Sequence, residues 1–124
     1  MKREMGMLFL RITFAGNMLI AHGIPKLTGF NSIAASFPDP FNFGSKLSLI
    51  LAIFAEVFCS VLILIGLKTR IATIPLIITM LTEAFIIHAG DPWSKQEFPL
   101  LYFYGFMAIL LFGPGKYAID KNTI

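Results

Sequence analysis

The chain has 124 residues, of which 56% are hydrophobic and only 14% are charged, and its mean hydropathy is +0.78. Soluble domains carry about 25% charged residues, so this composition excludes a disordered chain, a nucleic-acid-binding domain and a water-soluble globule. The net charge is +3, but the ten basic residues are scattered between apolar runs and form no cluster that could follow a phosphate backbone. The sequence therefore predicts a single membrane domain over residues 1–124, with the lipid bilayer as its first partner.

Four apolar segments are candidates for membrane spans: residues 5–24, 47–66, 71–90 and 95–113. Twenty helical residues rise ~30 Å, which is the thickness of a bilayer's hydrocarbon core. The chain shows no period-two alternation, and backbone polar groups in lipid must be satisfied within the protein. The pattern therefore predicts an all-α fold, a four-helix transmembrane bundle.

The fourth segment is bounded by recognisable helix signals. Ser94 and Glu97 fit a capping box, which predicts that this helix begins near Lys95. Gly113 followed by Pro114 is typical of a helix stop. With these limits the fourth segment is long enough to span a bilayer.

The distribution of lysine and arginine predicts the orientation of the four spans. One side would hold both termini and the turn at residues 66–70, and it carries six basic residues: Lys2, Arg3, Lys68, Arg70, Lys116 and Lys121. The other side carries only Lys26, Lys46 and Lys95. Because cytoplasmic loops hold the excess of positive charge, both termini are predicted to be cytoplasmic.

The outer connection between the first two spans, residues 25–45, is unusually aromatic. It contains six bulky or rigid residues: Phe30, Phe37, Pro38, Pro40, Phe41 and Phe43. This aromatic-rich outer loop is expected to lie on the membrane surface or to fold over the mouth of the bundle as a lid. Trp93, in the second outer connection, is expected at the membrane interface.

Ionisable residues inside the apolar segments are the first candidates for a functional site, because such groups are costly in lipid and usually face the bundle interior. There are five of them: Arg11, His22, Glu56, Glu83 and His88. Counting from the helix ends places Glu56 near the midplane and Glu83 on its outer side. The two histidines lie near the outer mouth, and Arg11 lies about two turns inside the cytoplasmic end.

Structural roles for the same residues remain open. Arg11 could extend to the cytoplasmic headgroups or pair with Glu4. A carboxyl at the depth of Glu56 must be protonated or paired, and the small residues at four-residue spacing on either side of it predict a close helix contact. His22 and His88 could be ordinary interfacial histidines. Glu83 and His88 are about 140° apart on an ideal helix, so both could face inward only from opposite flanks.

Several chemistries do not fit the residues present. A dithiol relay needs two cysteines, and Cys59 is the only one. A di-metal site in a bundle needs Glu-x-x-His on two helices, so no metal site is predicted. Haem bound between His22 and His88 is geometrically conceivable but not favoured. A quinone headgroup needs only one or two proton-exchanging groups beside an apolar cleft, which His22, Glu56 and Glu83 could supply.

Short motifs in a fixed order carry a family resemblance. They are Arg11; His22-Gly23 with Lys26 and Gly29-Phe30; Glu56 ahead of Gly66-Leu67-x-Thr69-Arg70; His88; and Gly113-Pro114-Gly115 with Asp120. From about Arg11 to Asp120 the chain resembles the DoxX family of small four-helix membrane proteins. The resemblance implies a multi-pass protein of the prokaryotic cytoplasmic (inner) membrane. It also implies a likeness to the small membrane subunit of thiosulfate:quinone oxidoreductase, with quinone and a larger redox subunit as partners.

The resemblance also implies site residues. By position they are Arg11, His22, Lys26 and Glu56, whereas Glu83 has no clear counterpart in the pattern. Arg11 and Glu56 would form a buried ion pair or polar network. His22 and Lys26 would line the outer mouth, where an anionic or quinone-like ligand could bind.

Together these inferences predict a redox-associated membrane subunit that interacts with quinone or quinol, with Glu56 and His22 as the catalytic, proton-exchanging groups. The ligand-binding residues would be Arg11, Lys26, Glu83 and His88. Whether the chain is an enzyme is left open. The alternatives are a non-enzymatic membrane anchor or assembly partner, and a small carrier for a hydrophobic or anionic solute. A homo-oligomer is also conceivable, because small residues leave flat helix surfaces for close contact.

Overall fold

The computed structural model describes residues 2–120, and within them every regular element is a helix. The helices in chain order are α1 (Lys2–Thr28), α2 (Phe30–Ile33), α3 (Ser45–Ile65), α4 (Thr69–Ile87) and α5 (Trp93–Phe112). Three of them, α1, α3 and α4, are long and apolar enough to cross a membrane. Helix α5 has 20 residues, but its first turn is polar. The predicted all-α fold is confirmed.

The helix boundaries differ from the predicted ones at two places. Helix α1 continues to Thr28, beyond the predicted end of the first segment. The predicted capping box is wrong: α5 begins at Trp93, its N-cap is Pro92, and no side chain caps it. Because Ser94 already lies inside the first turn, it is past the position from which a side chain caps. The predicted stop is confirmed, since α5 ends at Phe112 and is followed by Gly113 with φ +85°.

The distribution of polar and apolar side chains is the reverse of that in a soluble protein. Large apolar side chains cover the outside, including Phe9, Ile20, Ile78, Leu101 and Leu111, all more than half exposed. Arg11 and Glu56 lie inside, each only 1% exposed. Such a surface has lipid as its solvent, and the chain is a membrane protein.

The interior is built where small residues let the helices approach. On α3, Ala52, Ala55, Cys59 and Ser60 are buried around Glu56, which confirms the predicted close-packing face. Side chains from α4 and α5 complete the core: Leu76, Met80, Phe106 and Ile109. Helices α4 and α5 pack against each other more extensively than any other pair.

One end of the bundle, called here the terminal end, brings together the start of α1, the α3–α4 turn and the segment after α5. Asp120 ties two of these parts together, because its backbone N–H donates to Gly66 O (2.9 Å) and its Oδ2 accepts from Lys68 N (2.8 Å). Lys116 N donates to Glu4 Oε1 at 2.7 Å. Lys121, counted above for the orientation, lies outside the described residues. The opposite end, called the loop end, contains the end of α1, residues 34–44 and the α4–α5 connection.

Four stretches of the long helices are π-helical: Arg11–Ala15, Leu19–Gly23, Phe54–Cys59 and Glu83–Ile87. Each contains one of the ionisable residues singled out above, in order Arg11, His22, Glu56 and Glu83. A π turn inserts an extra residue into the helical ladder; such turns are rare in proteins and occur frequently at functional sites. The helical backbone is therefore irregular at the four places in the long helices that contain these ionisable residues.

Candidate functional site

A cavity of about 390 Å³ occupies the loop end of the bundle. Most of its wall is apolar and comes from residues 34–44, α3 and α4, including Phe37, Phe41, Leu51, Ile78 and Ile87. Four ionisable side chains also line it: Lys26, Glu56, Glu83 and His88. Pockets for small ligands typically hold ~300–1,000 Å³ and combine an apolar wall with a few convergent polar groups. The cavity has both properties.

A buried ion pair forms the most polar part of the cavity wall. Lys26 Nζ donates to Glu56 Oε1 at 2.6 Å; the Glu56 side chain is 1% exposed and the Lys26 side chain 20%. The second carboxylate oxygen, Glu56 Oε2, is buried and has no hydrogen-bond partner among the described residues. Burying an acceptor without a donor is costly. The Glu56 carboxylate is therefore only half satisfied by the protein.

The approach of α1 to α3 depends on Gly23. A Cβ atom at this position would lie 2.6 Å from the backbone oxygen of Glu56, so only glycine permits this contact. Lys26 follows three residues later, which places it on the same side of α1. The short helix–helix distance at Gly23 thus allows the Lys26 ammonium group to reach Glu56.

Glu83 and His88 enter the cavity from the end of α4. The Glu83 side chain makes no hydrogen bond or ion pair within the described part of the chain. His88 Nδ1 lies 3.0 Å from Asp91 Oδ2, and its backbone N–H donates to Glu83 O at 2.9 Å. This hydrogen bond joins residues five apart in the chain, as in a π turn. The rotation of 100° per residue, from which the angle between Glu83 and His88 was calculated, therefore does not apply here. Both side chains consequently line the same cavity.

The aromatic-rich loop of residues 34–44 covers the cavity as a lid, since Phe37, Phe41 and Phe43 all line it. One residue that sequence reasoning missed, Asp39, holds this loop. Its Oδ1 accepts from Phe43 N and Ser48 Oγ, and its Oδ2 accepts from Gly44 N, each at 2.9 Å. An aspartate between two prolines in a loop is a common turn-former, which is the signal that could have identified it.

Arg11 lies at the terminal end, away from the cavity. Its guanidinium donates to four backbone carbonyls, those of Ile63 (2.9 Å), Leu64 (2.9 Å), Pro114 (3.2 Å) and Tyr117 (2.9 Å). The last carbonyls of a helix have no intrahelical donor, and a buried arginine provides several donors in fixed directions. The expected pair between Arg11 and Glu56 is therefore not formed, and neither is the alternative pair with Glu4.

His22 also lies outside the cavity lining. Its ring stacks on Phe98, with ring centroids 4.7 Å apart, and meets the edge of Tyr102 at 5.4 Å. His22 thus packs against α5, whereas His88 faces the cavity, so the structure does not bring the two histidines together as haem ligands. Within residues 2–120 no group of three or more His, Cys, Asp or Glu side chains is arranged to hold a metal ion. Of the six predicted site residues, the structure brings together Lys26, Glu56, Glu83 and His88.

Comparison with known proteins gives one family. The family model described as DoxX matches residues 6–89, which are 84 of the 124 residues. The matched region contains α1 from Gly6 onward, the lid, α3 and α4, and with them all four ionisable residues of the cavity. No curated protein and no solved structure matches the chain.

Proposed function

The chain belongs to the DoxX family, and on that premise we propose that it is a quinone- or quinol-binding subunit of a membrane redox assembly. The cavity at the loop end would receive the ligand's headgroup. The observation that carries this proposal is the half-satisfied Glu56 carboxylate, paired with Lys26, in the wall of an otherwise apolar cavity.

The proposal includes a topology of four spans with both termini in the cytoplasm of a prokaryotic cell. A spanning α5 is supported by its 20 residues and by its extensive packing against α4. The orientation is supported by the basic residues at the terminal end, among them Lys2, Arg3 and Lys116. The cavity would then face the outer half of the inner membrane.

A quinone matches the cavity in polarity. Its ring and isoprenoid tail are apolar, and its two oxygens need only a few polar partners. The Lys26 ammonium has two protons beyond the one donated to Glu56 and could hold a headgroup oxygen. Glu56 and Glu83 are the two carboxyl groups in the lining and would exchange protons with the headgroup. His88, held by Asp91, would complete the wall.

The other two predicted site residues have different parts in this proposal. Arg11 binds backbone carbonyls through all three guanidinium nitrogens, so we assign it to the stability of the terminal end. Catalysis by His22 stays a prediction, and the stack on Phe98 indicates a packing role. The chain has one cysteine, so it cannot form a dithiol that would pass electron pairs to or from the bound ligand. In this proposal a larger redox subunit exchanges electrons with the ligand.

The proposal is tested by equilibrium binding of short-chain ubiquinone and ubiquinol to the purified protein in lipid nanodiscs. We expect saturable binding to wild type and a loss of about tenfold or more in ubiquinol affinity in Glu56→Gln, because the charge-assisted contact between the quinol hydroxyl and the carboxylate is removed. Glu97→Gln is the matched control, since Glu97 is an exposed acid of α5 outside the cavity lining. If no saturable binding occurs, or if Glu56→Gln and Glu97→Gln bind alike, the quinone proposal is wrong. A membrane anchor would then be the better account.

A further inference from the structure

Two carboxyl groups of the cavity wall still need hydrogen-bond donors, while the Lys26 ammonium has two further protons to donate. Glu56 Oε2 is buried without a partner, and the Glu83 carboxyl has neither a hydrogen bond nor an ion pair among the described residues. The lysine of the pair is the better solvated partner, because its side chain is 20% exposed and that of Glu56 is 1% exposed. Lys26, Glu56 and Glu83 together have one positive charge for two carboxyl groups. A ligand that donates hydrogen bonds would complement this wall better than one that only accepts them.

The two redox forms of a quinone differ in this property. Quinone oxygens are carbonyls, which only accept, whereas quinol oxygens are hydroxyls, which both donate and accept. A quinol could therefore accept from Lys26 as a quinone would, and could also donate to a carboxylate oxygen. A quinone carbonyl placed against Glu56 Oε2 would instead bring two acceptors together.

From these groups we infer that the cavity binds the reduced form, the quinol, in preference to the quinone. The inference rests on the proposed function and concerns binding alone. A quinol hydroxyl supplies the missing donor to Glu56 Oε2, and Glu83 offers a second acceptor in the same wall. The preference follows from the cost of leaving a buried acceptor unpaired, which the quinol removes and the quinone does not. The chain would then hold the reduced carrier ready for a partner that oxidises it.

The test measures the affinity of wild-type protein in nanodiscs, under anaerobic conditions, for three forms of one short-chain compound. They are ubiquinone, ubiquinol, and the ubiquinol with both hydroxyls methylated. We expect the quinol to bind about tenfold or more tightly than the quinone, and the methylated form to bind no better than the quinone. The methylated form keeps the ring and tail and has no donor, so this comparison requires no variant of the protein.

Two variants test whether Glu56 causes the preference for quinol over quinone. Glu56→Gln should reduce the ratio of quinol to quinone affinity to about threefold or less, because an amide also donates and can pair with a quinone carbonyl. Glu97→Gln should leave the ratio unchanged. If Glu56→Gln fails to fold, Glu83→Gln is expected to reduce the ratio in the same direction. Equal affinities, or tighter binding of the quinone, would overturn the inference and leave the proposed function standing. Absence of binding by all three compounds would instead refute the proposed function itself.

Discussion

The two ends of the bundle differ in how completely a buried charged side chain is hydrogen-bonded. Arg11 at the terminal end and Glu56 at the loop end are equally buried, at 1% exposure. Arg11 donates to four carbonyls of two chain segments, whereas Glu56 accepts from one lysine through one oxygen and leaves the other oxygen unpaired. A buried ionisable residue in a membrane helix is therefore not by itself a site. The unmet hydrogen-bonding capacity at Glu56 is what indicates a ligand.

The same contrast holds for the surroundings of the two residues. At the terminal end the segment after α5 closes over Arg11, and Ile119 N donates to Ile65 O at 3.1 Å. At the loop end the aromatic lid covers a cavity instead of filling it. We therefore expect substitutions at the terminal end to reduce stability without changing binding, and substitutions at the loop end to reduce binding, with or without a loss of stability.

The largest expected effect on stability is that of Arg11→Met. The substitution removes the guanidinium donors from four carbonyls, so we expect a loss of about 3 kcal/mol or more in the free energy of unfolding. The affinity of the folded fraction for quinol should be unchanged. Unfolding in mixed micelles, followed by circular dichroism, measures the stability. Arg3→Met, which removes an exposed arginine of the same helix, should have almost no effect. An equal loss in both variants would contradict the assigned role of Arg11.

The next largest effect is that of Lys26→Met, which leaves the Glu56 carboxylate buried without a cation. We expect a loss of about 2 kcal/mol, less than the ~3–5 kcal/mol typical of a broken buried pair, because the Lys26 side chain is 20% exposed. The double variant Lys26→Met with Glu56→Gln should recover part of this loss, since no charge then remains in the pair. Strictly additive effects in this double-mutant cycle would show that the two side chains do not interact.

Gly23→Ala tests the close contact of α1 with α3. A Cβ atom there would lie 2.6 Å from Glu56 O, so the helices must move apart at a cost of about 1–3 kcal/mol. Quinol affinity should fall as well, because Lys26 and Glu56 are separated. Gly16→Ala is a matched control in the same helix, since its Cβ would meet nothing closer than Leu64 Cδ2 at 3.9 Å. The contact is unimportant if the two alanine variants behave alike in both measurements.

The smallest expected effect is that of Asp39→Asn, which weakens the bonds that hold the lid. We expect about 1 kcal/mol less protection of the amides of residues 42–48 in hydrogen exchange, and little change in global stability. Asp91→Asn is a control at the same end, in the α4–α5 connection. Unchanged protection in Asp39→Asn would mean that the aromatic contacts alone hold the lid.

Sequence reasoning found what depends on local spacing. The four-residue recurrence of small residues around Glu56 predicted its buried face, and the glycine–proline pair at residues 113–114 predicted the end of α5. It did not find Lys26 as the partner of Glu56, because the two lie 30 residues apart on different helices. The position of Arg11 within an apolar run gives no information on which groups it binds.

The π turns account for the other differences. The turn at Leu19–Gly23 precedes Pro25, where the sequence predicts that the first helix has ended. Local π adjustments satisfy the backbone groups that a proline leaves without partners, so α1 continues to Thr28. The π turn at Glu83–Ile87 likewise changes the side of the helix on which the His88 side chain lies. Periodicity calculated for an ideal helix cannot anticipate an inserted residue.

The central claim, that the ligand binds in the cavity at the loop end, is tested most directly by photolabelling in nanodiscs with an azido-quinone reduced to the quinol. Peptide mapping should place the label on residues that line the cavity, within 37–56 and 78–88, and excess unlabelled quinol should prevent it. Labelling concentrated on the α1–α5 face around His22 and Phe98, or labelling that excess quinol does not reduce, would contradict the account.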